Sequence, residues 1–166
     1  MVTFEESGMT FSFEESDIFY IEKSERFSTI EGAKPCECVV LHDGKVSLIE
    51  AKSSTPRPEN AEQFLTFVGE IAQKFNDSYT YYNAAHQKRQ QPDEVSHNQQ
   101  SIPLARQNYE FCLIINGHPR EWLSPVLDQL KKTMKKSLKL WGFDDACVKV
   151  LNEQGALSKG LIAKIG

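Results

Sequence analysis

Glu37, Glu50 and Lys52 are the residues of this chain whose types and spacing best suit chemistry on a phosphate group. If the two carboxylates face each other across paired strands, their Cβ atoms lie about 4.5 to 5.5 Å apart and their like charges destabilise the sheet. A divalent cation would remove that repulsion, and Mg²⁺ prefers one or two carboxylates together with water and phosphate oxygens. Lys52 lies two residues beyond Glu50, so it projects to the same face of a strand about 6.6 Å further along. Its ammonium group could then contact a nucleophilic water or a scissile phosphate.

A β-hairpin is the element that must bring these side chains together. The apolar runs 38–41 and 46–49 flank Asp43-Gly44, a dipeptide typical of tight hairpin turns. Pairing outward from the turn gives one register, in which Leu41 faces Val46, Val39 faces Leu48 and Glu37 faces Glu50. Because both runs are almost wholly apolar, we expect the strands to be covered on both faces, where an unpaired carboxylate is costly.

A simpler interpretation of the same residues is a solvated end of the hairpin. In that case Glu37 forms a salt bridge with Lys52, and neither residue takes part in binding a metal ion. Short motifs of this kind also arise by chance, so the sequence leaves both interpretations open.

The hairpin resembles the catalytic hairpin of the PD-(D/E)XK nuclease superfamily. Glu50-Ala51-Lys52 matches the (D/E)XK half of the motif, and Glu37, separated from Glu50 by 12 residues, matches the upstream acid. The chain departs from the pattern in having Glu instead of Asp there, with Pro35 two residues before it. The resemblance implies an α/β, restriction-endonuclease-like fold, with a central mixed β-sheet flanked by helices. It also implies a divalent-metal-dependent nuclease in which the acids are metal ligands and the lysine orients or polarises water.

The segment 16–30 resembles the first helix of that fold, which often donates another acid to the metal site. Glu22 is the residue that we assign to this role, because it would share a helical stripe with Ile18 and Glu25. A surface glutamate is the alternative, and spacing alone does not separate Glu22 from its acidic neighbours, which are Glu14, Glu15, Glu25 and Glu31.

Length and charge define the class of protein. A chain of 166 residues with 40% apolar residues suits one compact domain, which we take to be 1–166. A net charge of −4 excludes a generally polycationic nucleic-acid binder, so contact with nucleic acid must come from a local patch. The sequence has no apolar run long enough for a membrane span and no charged-then-apolar leader, so we expect a cytoplasmic protein without membrane contact.

The four cysteines are predicted to be free thiols. Cys36, Cys38, Cys112 and Cys147 lie in apolar, strand-like runs, where a thiol behaves as a small buried hydrophobe. No second close pair of Cys or His accompanies Cys36 and Cys38, so the spacing argues against a zinc site.

Two amphipathic helices are predicted after the hairpin. The first follows a connector, 53–60, and carries apolar side chains at three- or four-residue intervals: Phe64, Val68, Ile71, Phe75, Tyr79 and Tyr82. The second opens at Pro119, with a buried face formed by Trp122, Leu123, Val126, Leu127, Leu130, Met134 and Leu138.

The other segments complete a mixed sheet. Residues 1–13 alternate around Gly8 and predict a short hairpin, and the apolar runs 109–116 and 146–151 predict strands. Strand, helix and strand form a βαβ unit, which favours parallel pairing. Residues 84–107 are rich in Gln, Asn, His and Pro and predict a flexible loop, either a substrate flap or a disordered insertion.

A stripe of lysines marks the second long helix. Its members are Lys131, Lys132, Lys135, Lys136 and Lys139, and they could follow a phosphate backbone. The alternative is a solvated helix face whose positive charges complement the helix dipole.

The sequence therefore predicts a nuclease that hydrolyses phosphodiester bonds in DNA or RNA with Mg²⁺ or Mn²⁺ bound by Glu37, Glu50 and Glu22. Lys52 would position the attacking hydroxide, and the metal would lower the pKa of its bound water. One alternative is a nucleic-acid-binding or scaffold subunit that keeps the fold without cleaving, as a homo-oligomer or in a larger complex. A third is an enzyme that acts on a small phosphorylated molecule.

Overall fold

A five-stranded mixed β-sheet lies at the centre of the fold, and helices cover it. The structure is a computed structural model, and it describes residues 1–163. The strands are β1 (Val2–Glu6), β2 (Met9–Phe13), β3 (Ile18–Phe19), β4 (Cys38–His42), β5 (Lys45–Lys52), β6 (Asn108–Ile115) and β7 (Val148–Asn152). The sheet has the order β3-β4-β5-β6-β7, with antiparallel pairing from β3 to β5 and parallel pairing from β5 to β7. This confirms the predicted α/β class and the mixed sheet.

The helices are α1 (Glu25–Ser28), α2 (Ala61–His86), α3 (His97–Ser101), α4 (Leu123–Trp141) and α5 (Glu153–Ser158). The long helices α2 and α4 follow the carboxyl ends of β5 and β6 and pack on one face of the sheet. The hairpin of β1 and β2 and the segment around α5 pack on the other face. None of the helices among residues 1–163 combines the length and apolar character that crossing a bilayer requires.

The hairpin of β4 and β5 has the predicted register next to its turn, but the predicted pairing of Glu37 with Glu50 is wrong, because the paired residues of β4 begin at Cys38. Leu41 pairs with Val46, and Val39 pairs with Leu48. Asp43 and Gly44 both have positive φ angles, 48° and 73°, as a two-residue turn between twisted strands requires. The turn chemistry therefore sets which residues of the two strands are neighbours.

The regular alternation of β4 is interrupted at Glu37. Cys36 packs on the helical face of the sheet and Cys38 on the opposite face, although regular alternation would put both on one face. The Glu37 N–H donates to the Ile49 carbonyl oxygen (2.9 Å), although Ile49 is already the register partner of Cys38. These features describe an extra residue of the β-bulge type, a device that redirects a side chain near a sheet edge.

The predicted helix in 16–30 is largely wrong. Ile18 and Phe19 form β3, which pairs with β4, and Glu22 lies in the 3-10 turn Ile21–Lys23. Only α1 is helical, with Ser24 as its N-cap. The run Ile18–Ile21 is rich in β-branched and aromatic residues, and pairing with the edge of β4 outweighs its helical spacing.

The two long helices are confirmed, with one error in the predicted buried face. Phe64, Val68, Ile71, Phe75 and Tyr82 of α2 are buried, as are the α4 residues Val126, Leu130, Met134 and Leu138. Trp122 is 55% exposed because it lies in the 3-10 turn Arg120–Trp122, ahead of α4 and off its apolar stripe. The N-terminal hairpin and both later strands are also confirmed.

Residues 84–107 are not the irregular loop that their composition predicted. The helix α2 continues to His86, and α3 follows with a capping box formed by Ser96 and Gln99. Gln99 is fully buried, and its side-chain amide donates to the Val39 carbonyl oxygen of β4 (2.9 Å). Polar side chains here satisfy backbone groups of the sheet, which a search for apolar periodicity does not detect. A flap movement of this segment stays a prediction.

Two glycine substitutions test the backbone conformations of the β4–β5 turn and of α2. Gly44→Ala is expected to lower the free energy of unfolding by about 1 kcal/mol, because a Cβ atom is disfavoured at its positive φ. Gly69→Ala, within α2, is expected to raise it by about 0.5 to 1 kcal/mol, since no atom lies within 4 Å of the added Cβ. Urea unfolding measures both, and equal signs for the two variants would contradict this account.

Candidate functional site

The candidate site lies at one edge of the sheet, where the carboxyl ends of β5 and β6 meet. Lys52 ends β5 beside Ile115, which ends β6, and the next residue, Asn116, donates its N–H to the Lys52 carbonyl oxygen (2.8 Å). Because β4 is antiparallel to β5, Glu37 at its start lies at the same edge. Parallel strands thus gather polar side chains from distant parts of the sequence.

Three carboxylates form an acidic cluster at this edge: Glu6, Glu22 and Glu37. One carboxylate oxygen from each lies within 4.8 Å of the others. Glu6 ends β1, and Glu22 is held near Glu37 because its N–H donates to the Glu37 carbonyl oxygen (3.4 Å). Glu22 is exposed and Glu6 is half-buried, whereas Glu37 is only 4% exposed. The cluster therefore reaches from solvent to the protein interior.

The Glu37 carboxylate forms no ion pair with any of residues 1–163. Its Oε2 atom is buried and has no hydrogen-bond partner among these residues. The pKa of Glu37 is raised to about 8, first by burial and then by the negative charges of Glu50, Glu22 and Glu6, against an opposing effect of Lys74. Such a group is stable as an anion only if a cation approaches it.

Glu50 has the opposite environment, because two ammonium groups converge on one of its oxygens. Its Oε1 atom lies 2.8 Å from Lys52 Nζ and 2.6 Å from Lys74 Nζ. The side chain is fully buried, and its Oε2 atom has no hydrogen-bond partner in the part of the chain that the structure describes. Burial disfavours the charged form of Lys74, but the charge and hydrogen bond of Glu50 outweigh it and raise the pKa of Lys74.

The sum of these charges suits a divalent cation. The acidic cluster and Glu50 together carry four negative charges when ionised, and the two lysines on Glu50 carry two positive charges. Two negative charges are left near the buried, unpartnered oxygens of Glu37 and Glu50. All available donors are carboxylate oxygens, which are the ligands of hard ions such as Mg²⁺, Mn²⁺ and Ca²⁺. The residues present therefore fit such an ion.

The structure groups the predicted site residues in two sets. Glu37 and Glu22 meet in the acidic cluster, whereas Glu50 and Lys52 pair with each other. The suggested salt bridge between Glu37 and Lys52 is not the contact that forms in the described chain, because Lys52 pairs with Glu50. Glu50 nevertheless stays close enough for its charge to raise the pKa of Glu37.

Two residues of the site were missed from the sequence, Glu6 and Lys74. Glu6 ends a short hairpin whose packing partner the sequence does not reveal. Lys74 had a usable signal, because it lies three residues after Ile71 and four before Ser78, both buried on the sheet-facing side of α2. A lysine at such a position predicts a buried acidic partner.

The lysine stripe of α4 lies away from the acidic cluster. The helix follows the carboxyl end of β6 and leads to the start of β7, so its C-terminal half points toward the opposite edge of the sheet. Acidic side chains are interspersed with the lysines in a shallow depression, and Lys131 Nζ lies 3.8 Å from Asp145 Oδ1. The stripe and Glu50 thus lie toward opposite ends of the strands.

Comparison with known proteins gives no relative for this chain: no protein-family model, curated protein or solved structure matches it. The functional argument therefore depends on the chemistry of the acidic edge.

The first test of this electrostatic description is the pH dependence of stability in EDTA. An acid whose pKa is raised by folding favours the native state when protonated, so its stabilising effect is lost as the pH rises from about 4.3 toward about 8. Glu37→Gln is therefore expected to unfold at a higher temperature than the wild type at pH 9, by at least about 2 to 4 °C. The difference should shrink at pH 5.

The exposed residue Glu31 offers the matched control, because Glu31→Gln removes the same charge outside the site. An identical wild-type and Glu37→Gln melting temperature at pH 9 would show that Glu37 carries no unfavourable charge.

A second test removes one of the two amines on Glu50. Lys74→Met is expected to lower the free energy of unfolding by about 1 to 3 kcal/mol, because Glu50 keeps only Lys52 as a counter-charge. When Glu50→Gln is combined with Lys74→Met, most of the lost free energy of unfolding should be recovered. A double-mutant cycle measures this coupling. Lys135→Met, at an exposed position of α4, is the control. Additive effects of Lys74→Met and Glu50→Gln would contradict the contact.

Proposed function

We propose that this chain is a metal-dependent nuclease with a restriction-endonuclease-like fold. The observation that carries the proposal is the Glu37 carboxylate, which is buried among other carboxylates and has no partner within residues 1–163. It lies near Glu50, which the ammonium group of Lys52 contacts. A buried carboxylate oxygen without a partner is costly to the folded state. A bound metal ion would remove this cost.

The order of the elements supports the fold part of the proposal. An antiparallel hairpin carries Glu37 on one strand and Glu50-Ala51-Lys52 on the other, and it belongs to a mixed sheet flanked by helices. These features agree with the resemblance of the motif to the PD-(D/E)XK nucleases.

The residues of the site have separate tasks in this proposal. Glu37, Glu22 and Glu50 would hold Mg²⁺ or Mn²⁺ through carboxylate oxygens. Such an ion supplies Lewis-acid stabilisation of a phosphate and lowers the pKa of a bound water. Lys52 is one-third exposed, so its ammonium group can turn from Glu50 to a phosphate oxygen or an attacking water. Lys74 would remain in contact with Glu50 when Lys52 turns away.

Nucleic acid, DNA or RNA, is the substrate in this proposal. The acidic edge repels a phosphate backbone unless a cation is bound, so binding and cleavage both depend on metal. The lysines of the α4 stripe would contact the backbone farther away, where they lower the repulsion that a net charge of −4 causes.

A subunit that binds nucleic acid without cleaving it is the second candidate. The observation in its favour is that both amines of the site, Lys52 and Lys74, are paired with Glu50. If neither amine leaves Glu50, the lysine stripe could still bind a backbone while the acidic edge has no catalytic task.

The two candidates differ in a cleavage assay. Purified protein is incubated with plasmid, single-stranded DNA and RNA in the presence of Mg²⁺, Mn²⁺ or EDTA. The proposal predicts cleavage that requires metal and that falls by about 10² to 10⁴ in Lys52→Ala and in Glu50→Gln. Lys34→Ala, at an exposed position outside the site, should retain activity. Binding that persists in EDTA, with no cleavage of any substrate, favours the second candidate.

A further inference from the structure

We infer that the N-terminal hairpin is part of the metal centre and that Glu6 is one of its ligands. The inference rests on the metal requirement of the proposed function, but it does not depend on cleavage. Glu6 lies outside the segment that resembles the nuclease motif, so the resemblance assigns it no role.

The distances within the acidic cluster suit one ion. Two oxygens bound to the same ion lie no farther apart than twice the bond length, which is about 4 Å for Mg²⁺ and about 5 Å for Ca²⁺. The cluster oxygens of Glu6, Glu22 and Glu37 all lie within 4.8 Å of one another. Ions of the size of Ca²⁺ fit this spacing, and Mg²⁺ fits after a small approach of the side chains.

Burial supplies an independent observation that points to a ligand. Glu37 belongs to the cluster, it is 4% exposed, and none of the described residues forms a hydrogen bond with its Oε2 atom. Exposed carboxylates can lie close together because water screens their charges. Glu37 is buried, so water does not screen its charge. Glu6 and Glu22 approach it from two other elements, and this repulsive arrangement becomes favourable with a cation between them.

The turn of the hairpin is fixed to the candidate site by Asn116. The Asn116 side-chain amide donates to the Ser7 carbonyl oxygen (3.0 Å), and its backbone N–H donates to the Lys52 carbonyl oxygen (2.8 Å). Gly8 allows this approach, because a Cβ there would lie 2.8 Å from Asn116 Nδ2.

The Glu6 side chain is oriented within that turn. Its Oε1 atom accepts hydrogen bonds from the N–H and the hydroxyl of Ser7, at 3.0 and 3.1 Å. These bonds limit the rotamers of Glu6 and hold the carboxylate at the edge of the sheet, as preorganised metal ligands require.

Tb³⁺ is a suitable probe, because its size and its preference for oxygen ligands resemble those of Ca²⁺. Tyr20 lies close enough to the cluster for the charges of Glu22 and Glu37, after burial, to raise its pKa to about 12. Excitation of Tyr20 is therefore expected to sensitise luminescence of a bound Tb³⁺ ion. Titration with Mn²⁺ by calorimetry measures affinity for a divalent ion independently.

The decisive comparison is Glu6→Gln with Glu5→Gln. Glu5 is the neighbouring residue of the same strand and is exposed, so its substitution removes the same charge from the same hairpin. We expect Glu6→Gln to weaken Tb³⁺ and Mn²⁺ binding at least tenfold and Glu5→Gln to change it less than twofold. Equal affinities of Glu6→Gln and the wild type would overturn the inference, as would an equal loss in both variants.

A second variant and a second readout guard against loss of fold. Asn116→Ala leaves every carboxylate in place but releases the turn, so it should also weaken binding, with an unchanged circular dichroism spectrum. Metal should raise the melting temperature of the wild type and of Glu5→Gln more than that of Glu6→Gln.

The outcomes separate this inference from the proposed function. Binding that depends on Glu6 without any cleavage would support the inference and remove the nuclease proposal. Metal-dependent cleavage with a Glu6→Gln affinity equal to that of the wild type would do the reverse.

Discussion

The burial of two carboxylates at one sheet edge is the constraint on which the rest of the site depends. Glu37 and Glu50 are both removed from water, and each has an oxygen without a hydrogen-bond partner within residues 1–163. A buried anion is expensive to leave uncompensated, and a chain can neutralise it with a proton, an amine or a metal ion. Glu50 is compensated by amines from two elements, whereas the pKa of Glu37 is raised to about 8. The two acids therefore have different electrostatic surroundings.

The architecture produces this difference through a short irregularity in one strand. The extra residue at Glu37 ends the regular alternation of β4, so this carboxylate meets Glu6 and Glu22 while Glu50 remains under α2 with Lys74. The parallel part of the sheet places the ends of β5 and β6 side by side, and Asn116 connects that edge to the N-terminal hairpin. Segments from the N-terminal hairpin to the end of β6 thus contribute to one polar region.

Local patterns were sufficient for the elements whose signals lie within a few residues. The dipeptide Asp43-Gly44 specified the hairpin register, and the spacing of Phe64, Val68 and Ile71 specified α2. The segment 16–30 was misread because its pairing partner, β4, lies about twenty residues further along and outweighs the local preference. The contacts of Glu6 depend on tertiary packing that its spacing does not reveal, whereas the spacing of Lys74 places it on the sheet-facing side of α2 without identifying its partner. The facing of Glu37 and Glu50 assumed ideal alternation, and a bulge leaves no dependable mark in a single sequence.

The helix α3 has a consequence for the solution behaviour of the protein. The outermost strand of the sheet, β3, has only two residues, so it covers little of the flank of β4. Gln99 and Asn98 of α3 donate to the carbonyl oxygens of Val39 and Ser16, which would otherwise face outward at that flank. Unpaired strand flanks are templates on which further chains can add by hydrogen bonding. By occupying these carbonyl oxygens, α3 leaves fewer unpaired backbone acceptors at that flank for such addition.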